Sequence, residues 1–68
     1  MASIWRDPLR LTFVDADNLE LAVLNRPDFV PRVGENVRIG SAPYVVERVG
    51  YDVPDGALSA IWVVCRPA

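Results

Sequence analysis

The chain has no histidine, no lysine and a single cysteine, Cys65. The absence of histidine removes the most common general base and the most common metal ligand. One thiol can form neither an intramolecular disulfide nor a closed zinc site. The sequence therefore predicts a non-enzymatic protein with no catalytic residues, no cofactor and no metal. An active site assembled only at an oligomer axis is the remaining enzymatic alternative, and the residue content disfavours it.

Long apolar segments are also missing. No apolar run approaches the roughly 20 residues that span a bilayer, and residues 1–7 lack the apolar centre of a signal peptide. We therefore expect no membrane partner. A lone thiol without an export signal is typical of a reducing compartment, so the expected location is the cytoplasm.

The one cysteine lies in an apolar segment, between Val64 and Arg66. A reactive thiol needs a neighbour that lowers its pKa. In a strand the side chain of Arg66 points to the opposite face from that of Cys65. The preferred interpretation of Cys65 is therefore a buried, inert thiol.

The length of 68 residues predicts one domain, 1–68. A chain this short buries only about 60% of its unfolded surface, so small domains usually need a disulfide, a metal or self-association. The first two are excluded here, whereas 51% of the residues are apolar. We expect some of that apolar surface to meet another chain, either a second copy in a homodimer or a different protein. A well-packed monomer is the alternative.

Five short segments show the apolar alternation or the β-branched runs that predict β-strands. In the first of them, Leu9, Leu11 and Phe13 share one face. Clusters of turn residues separate the segments, among them 15–18, 40–43 and 52–56. The predicted strands are 8–14, 19–25, 36–40, 44–51 and 58–66.

The second segment, 19–25, also fits a short helix. Asp17 would be its N-cap, and Glu20 stands three residues later, as in a capping box. Pro27 leaves the segment short for a helix, so we prefer the strand, which would form a hairpin with the first.

The connector after that segment contains Pro27 and Pro31, which cannot donate to a ladder. We expect Phe29 and Val30 to tuck beneath it and to close one end of the core.

The fourth segment changes its alternation part of the way along. Tyr44 and Val46 have one parity, whereas Val49 and Tyr51 have the other. A β-bulge near 47–48 would bring all four side chains to the same side of the sheet.

The second half of the chain has a recognisable order of turns and strands. Residues 33–40 read Val-Gly-Glu-Asn-Val-Arg-Ile-Gly, and residues 43–49 read Pro-Tyr-Val-Val-Glu-Arg-Val. A loop and an apolar strand ending in Arg66-Pro67 follow. This pattern, over about 31–66, resembles small SH3-like barrels, and the chain is also similar to short uncharacterised proteins of phages, plasmids and mobile gene cassettes. The resemblance implies an all-β fold, a small five-stranded SH3-like barrel or roll with at most one short helical turn.

The last predicted strand is apolar on both faces, because Ile61, Val63 and Cys65 alternate with Leu58, Ala60, Trp62 and Val64. Such a strand is covered on both sides, which a single sheet of this size does not achieve alone. We therefore expect this strand to contact another chain. The expected contact residues are Trp5, Leu58, Trp62 and Val64.

The expected function is a small self-associating interaction or accessory module. The alternative is a nucleic-acid-binding barrel that combines outward arginines with aromatic stacking. Its contacts would be Arg10, Arg38, Arg48 and Tyr44. The net charge of −2 disfavours a polyanionic partner, which needs a basic footprint. Pairing of these arginines with glutamates across strands is the plainer interpretation.

Two turns are rich in carboxylates. Asp15, Asp17 and Glu20 surround the first, and Asp52 and Asp55 flank the second. A calcium loop would require further ligands and a central glycine. We therefore expect these side chains to cap their turns.

Overall fold

The computed structural model describes residues 5–68, with side chains from Leu9 onward. Its strands are β1 (Trp5–Val14), β2 (Glu20–Asn25), β3 (Asn36–Ile39), β4 (Ala42–Asp52) and β5 (Leu58–Pro67). The all-β prediction is confirmed, and β2 is a strand rather than a helix. In the described residues there is no helix long and apolar enough to cross a membrane.

The five strands form one mixed sheet in the order β2-β1-β5-β4-β3. The pairs β1–β2, β4–β5 and β3–β4 are antiparallel, whereas β1 and β5 are parallel. The last strand of the sequence is thus the central strand of the sheet. The sheet curls into a half-barrel that is compatible with the predicted SH3-like barrel, and β2 and β3 form its edges in the part of the chain that the structure describes.

The bulge predicted in the fourth strand is confirmed. The register of β4 against β5 shifts between Val46 and Arg48, and such a bulge bends the strand and increases its twist. Val46 is 1% exposed, and Tyr44 and Val49 pack against the core. Tyr51, which we expected beside them, is 58% exposed.

Turn chemistry fixes two of the hairpins. Ile39 and Ala42 are paired across the two-residue turn 40–41, and Gly40 has φ 63°, as required of the first central residue in a type II′ turn. Between β1 and β2, the carboxylate Oδ1 of Asp15 accepts hydrogen bonds from the N–H groups of Asp17 and Leu19, each 2.9 Å long.

The core lies on one face of the sheet. Its buried residues are Leu9, Leu11, Phe13, Val46, Ile61, Val63 and Cys65. Val30 packs against this cluster from the connector, as expected. The matching expectation for Phe29 is wrong, because its side chain is 62% exposed. Pro27 and the buried Pro31 restrict the backbone of this connector, so only part of it turns inward.

Candidate interaction surface

The two faces of β5 have different surroundings. Ile61, Val63 and Cys65 point into the core and are at most 1% exposed. Trp62 lies on the opposite face and is 44% exposed. The central strand therefore presents a large, partly exposed aromatic side chain on the face of the sheet opposite the core.

The strand registers show which residues surround Trp62 on this outer face. Trp62 is opposite Thr12 of β1 on one side and Gly50 of β4 on the other, and Thr12 is in turn opposite Val23 of β2. One row farther along, Val14 is opposite Val64. We call the apolar residues of this face the outer patch. They are Val14, Val23, Ala60, Trp62 and Val64.

Two side chains of this face are almost completely covered. Thr12 is 5% exposed and Val14 is 3% exposed, although neither belongs to the core cluster. Thr12 is a short side chain between Val23 and Trp62, so its larger neighbours shield it from water. The outer face therefore has a tight apolar centre of its own.

Gly50 leaves a space beside Trp62. A Cβ atom added at Gly50 would have no other atom within 4 Å. The face of the sheet next to the Trp62 side chain is therefore open on the β4 side, and the indole is accessible to a partner from that direction.

Charged residues of both signs border the outer patch. Arg10 and Asp52 lie on either side of Ala60 in one row, and the Asp52 carboxylate Oδ2 accepts a hydrogen bond of 3.2 Å from the Ser59 hydroxyl. At the other end, the Arg66 Nε lies 3.9 Å from the Glu47 Oε2, with both side chains about half exposed. Such exposed pairs contribute little to stability.

A shallow, open depression lies beside the bulge of β4. It has a volume of about 290 Å³ and is lined by Ala16, Glu47, Arg48 and Val64. Its lining includes one carboxylate and one guanidinium, so it favours neither an anion nor a cation.

The expected contact residues are not all placed together. Trp62 and Val64 belong to the outer patch. Leu58 instead packs, partly buried, against the core cluster. The backbone of Trp5 pairs with that of Leu58 at the beginning of β1, and the side chain of Trp5 lies outside the described residues.

The residues considered for nucleic-acid binding are spread over three strands, β1, β3 and β4. Tyr44 packs against the core and is opposite Val37. Arg38 is on the edge strand β3, opposite Pro43. Arg10 is exposed on β1, and Arg48 is on β4, separated from β1 by the central strand. The structure thus does not place the aromatic ring beside the three guanidinium groups.

In the first turn the Asp15 carboxylate serves local structure. Asp15 holds two N–H groups, and Asn18 takes φ 67° to complete the turn. The two acidic turns are far apart along β5. Asp52 lies beside Ala60, near the beginning of β5, whereas Asp15 follows Val14, which is opposite Val64 near the other end. Among the described residues no group of three or more potential ligands can hold a metal ion.

Cys65 is fully buried, as the sequence predicts. Its Sγ lies 3.9 Å from the carbonyl oxygen of Val63, as a weak donor. Burial raises the pKa of the Cys65 thiol, and the negative charge of Glu47 raises it further. The thiolate, which is the reactive form, is therefore disfavoured.

Sequence reasoning did not identify Thr12, Val14, Val23 or Gly50 as part of the surface. These residues come from three strands, and only the strand order brings them around Trp62. Comparison of the chain with protein-family models, with curated proteins and with solved structures gave no match.

Proposed function

We propose that this protein is a small interaction module whose outer patch binds the outer patch of a second copy. The observation that supports this proposal is the 44% exposure of Trp62 on the central strand, on the face opposite the core. Tryptophan is among the residues that contribute most to binding when a partner covers them. The chain offers no histidine, and its only thiol is buried, so the surface is better suited to contact than to catalysis.

The charges around the patch favour a second copy as the partner. Arg10 and Asp52 lie on opposite sides of Ala60 in one row of the sheet. When two outer faces meet about a two-fold axis parallel to β5, Arg10 of each copy faces Asp52 of the other. The same axis brings Trp62 against Trp62. An interface between identical patches is the most common kind in homo-oligomers.

The exposed area limits the affinity. A tryptophan side chain buries up to about 250 Å², so covering the exposed part of Trp62 in both copies removes about 200 Å² from water. At about 25 cal/mol per Å² this contributes about 5 kcal/mol. Association itself costs about 4–15 kcal/mol. Trp62 alone therefore supports only weak binding, and the rest of the outer patch must contribute for a micromolar dimer.

Sedimentation equilibrium over a concentration series tests the proposal. We expect Trp62→Ser to raise the dissociation constant at least about 100-fold, because both copies lose the anchor. Phe29→Ser is the matched control, since Phe29 is 62% exposed but belongs to the connector rather than the outer patch. A wild-type chain that stays monomeric, or a Trp62→Ser variant that associates like wild type, would contradict the proposal.

A further inference from the structure

The two edges of the sheet differ in how well they are protected against another strand. β3 has only four residues, Asn36–Ile39, and has Arg38 within it. β2 has six residues, Glu20–Asn25, with four consecutive apolar residues and neither proline, lysine nor arginine. Short length and charge are the usual protections of an edge strand. The one charged residue of β2, Glu20, is at its first position, so β2 is the less protected of the two edges.

One hydrogen bond fixes which backbone groups of β2 point outward. The N–H of Arg26 donates to the carbonyl of Leu9 at 2.7 Å. In an antiparallel ladder the hydrogen-bonded residues alternate, so Leu24 and Ala22 also direct their N–H and C=O groups toward β1. The N–H and C=O groups of Val23 and Asn25 consequently point away from β1, toward the free side of the sheet.

The charges at the two ends of β2 are complementary. The strand begins with Glu20, and Arg26 follows its last residue. If two copies pair antiparallel with Val23 opposite Val23, Glu20 of each copy lies opposite Arg26 of the other. In the same register Leu24, which is 36% exposed, lies opposite Ala22. Both the polar ends and the apolar centre are therefore self-complementary.

We infer that β2 is a second docking site, at which two copies of this chain join their sheets edge to edge about a two-fold axis at Val23. Each Val23 N–H then donates to the Val23 carbonyl of the other copy, and the two sheets become one continuous sheet. This site goes beyond the proposed function, because it uses the backbone of an edge strand rather than the outer patch. A chain with both sites can form assemblies larger than a dimer.

Amide hydrogen exchange of the unmodified protein, followed by NMR at several concentrations, tests the inference directly. In a monomer the outward N–H of Val23 exchanges freely, whereas those of Ala22 and Leu24 are held by β1. We expect exchange at Val23 to slow about tenfold or more as the concentration rises and the edges pair. Arg38 of β3 is the internal control. The Val46 N–H donates to the carbonyl of Glu35, just before β3, and because hydrogen-bonded residues alternate along the ladder, the Arg38 N–H points away from β4. Free exchange at Val23 at every concentration would overturn the inference.

A proline substitution gives a second, independent measurement. Asn25→Pro removes an N–H that points away from β1, and Asn25 is exposed and does not belong to the outer patch. Loss of two intermolecular hydrogen bonds should weaken edge pairing about 30-fold. Arg38→Pro removes the corresponding N–H from β3 and should leave association unchanged.

The variants also separate the two proposals. Asn25→Pro is expected to stop assembly at the dimer that forms through the outer patch, and Trp62→Ser to stop it at the dimer that forms through β2. If Asn25→Pro assembles like wild type while Trp62→Ser does not, the edge site is wrong and the outer patch stands. If Trp62→Ser assembles like wild type while Asn25→Pro does not, the outer patch is wrong and the edge site stands.

Discussion

Replacing Gly50 with valine should stabilise the monomer. Gly50 lies inside the long strand β4, opposite Trp62, and an added Cβ would meet no atom within 4 Å. Its φ is not in the left-handed region, since the positive-φ glycines are Gly34, Gly40 and Gly56. A valine side chain therefore fits without strain and extends toward the indole of Trp62.

Two terms set the size of the gain. Removing glycine from a strand interior contributes about 0.5–1 kcal/mol, and a new cross-strand pair with an aromatic residue contributes about 0.2–1 kcal/mol. Together the free energy of unfolding should rise by about 1–2 kcal/mol. For a domain of this size that corresponds to an increase in Tm of about 5–15 °C. Urea denaturation and thermal melting, both followed by circular dichroism in dilute solution, measure the two quantities.

Gly40→Val is the matched control. Gly40 also has nothing within 4 Å of an added Cβ, but its φ of 63° disfavours a β-branched side chain. We expect Gly40→Val to destabilise the domain by about 1–3 kcal/mol. If Gly50→Val lowers the stability, or if both variants change it in the same direction, the assignment of open space beside Trp62 is refuted.

Two further substitutions test the local chemistry. Asp15→Ala removes the acceptor of the Asp17 and Leu19 N–H groups and should lower the free energy of unfolding by about 1–2 kcal/mol in urea titrations; Asp15→Asn, which keeps an acceptor oxygen, should lose clearly less, and equal losses would contradict the turn assignment. Because the folded pKa of Cys65 is raised above its ordinary value of 9.0, the folded state holds the proton more tightly, so stability is complete below about pH 9 and falls as the pH rises beyond it. Urea midpoints between neutral and alkaline pH should show this decline in wild type and a smaller one in Cys65→Ala, and identical slopes would count against it.

Local patterns in the sequence were sufficient to predict the strands. Alternation of Leu9, Leu11 and Phe13 identified β1, and the change of parity between Val46 and Val49 identified the bulge in β4. These features depend on residues within a few positions of one another, which is why a single sequence contains them. The same alternation separated the core face of β5 from its outer face.

The composition of the outer patch was not predictable in the same way. Thr12 is polar and alternates with core residues, so its position alone suggests exposure to water. It is buried because Val23 and Trp62 flank it, and Trp62 is brought there by the parallel pairing of the first and last strands. That pairing is between distant parts of the chain and leaves no local signal. Phe29 was misplaced for the same reason, since proline spacing does not determine long-range packing.

An isotope-filtered NOE experiment on a mixture of labelled and unlabelled chains tests most directly whether the outer patch binds a second copy. We expect NOEs between the Trp62 indole protons of one copy and the Trp62 and Val64 side chains of another, at concentrations where sedimentation shows association. Association without any intermolecular NOE from Trp62, or a chain that remains monomeric throughout, would contradict this account.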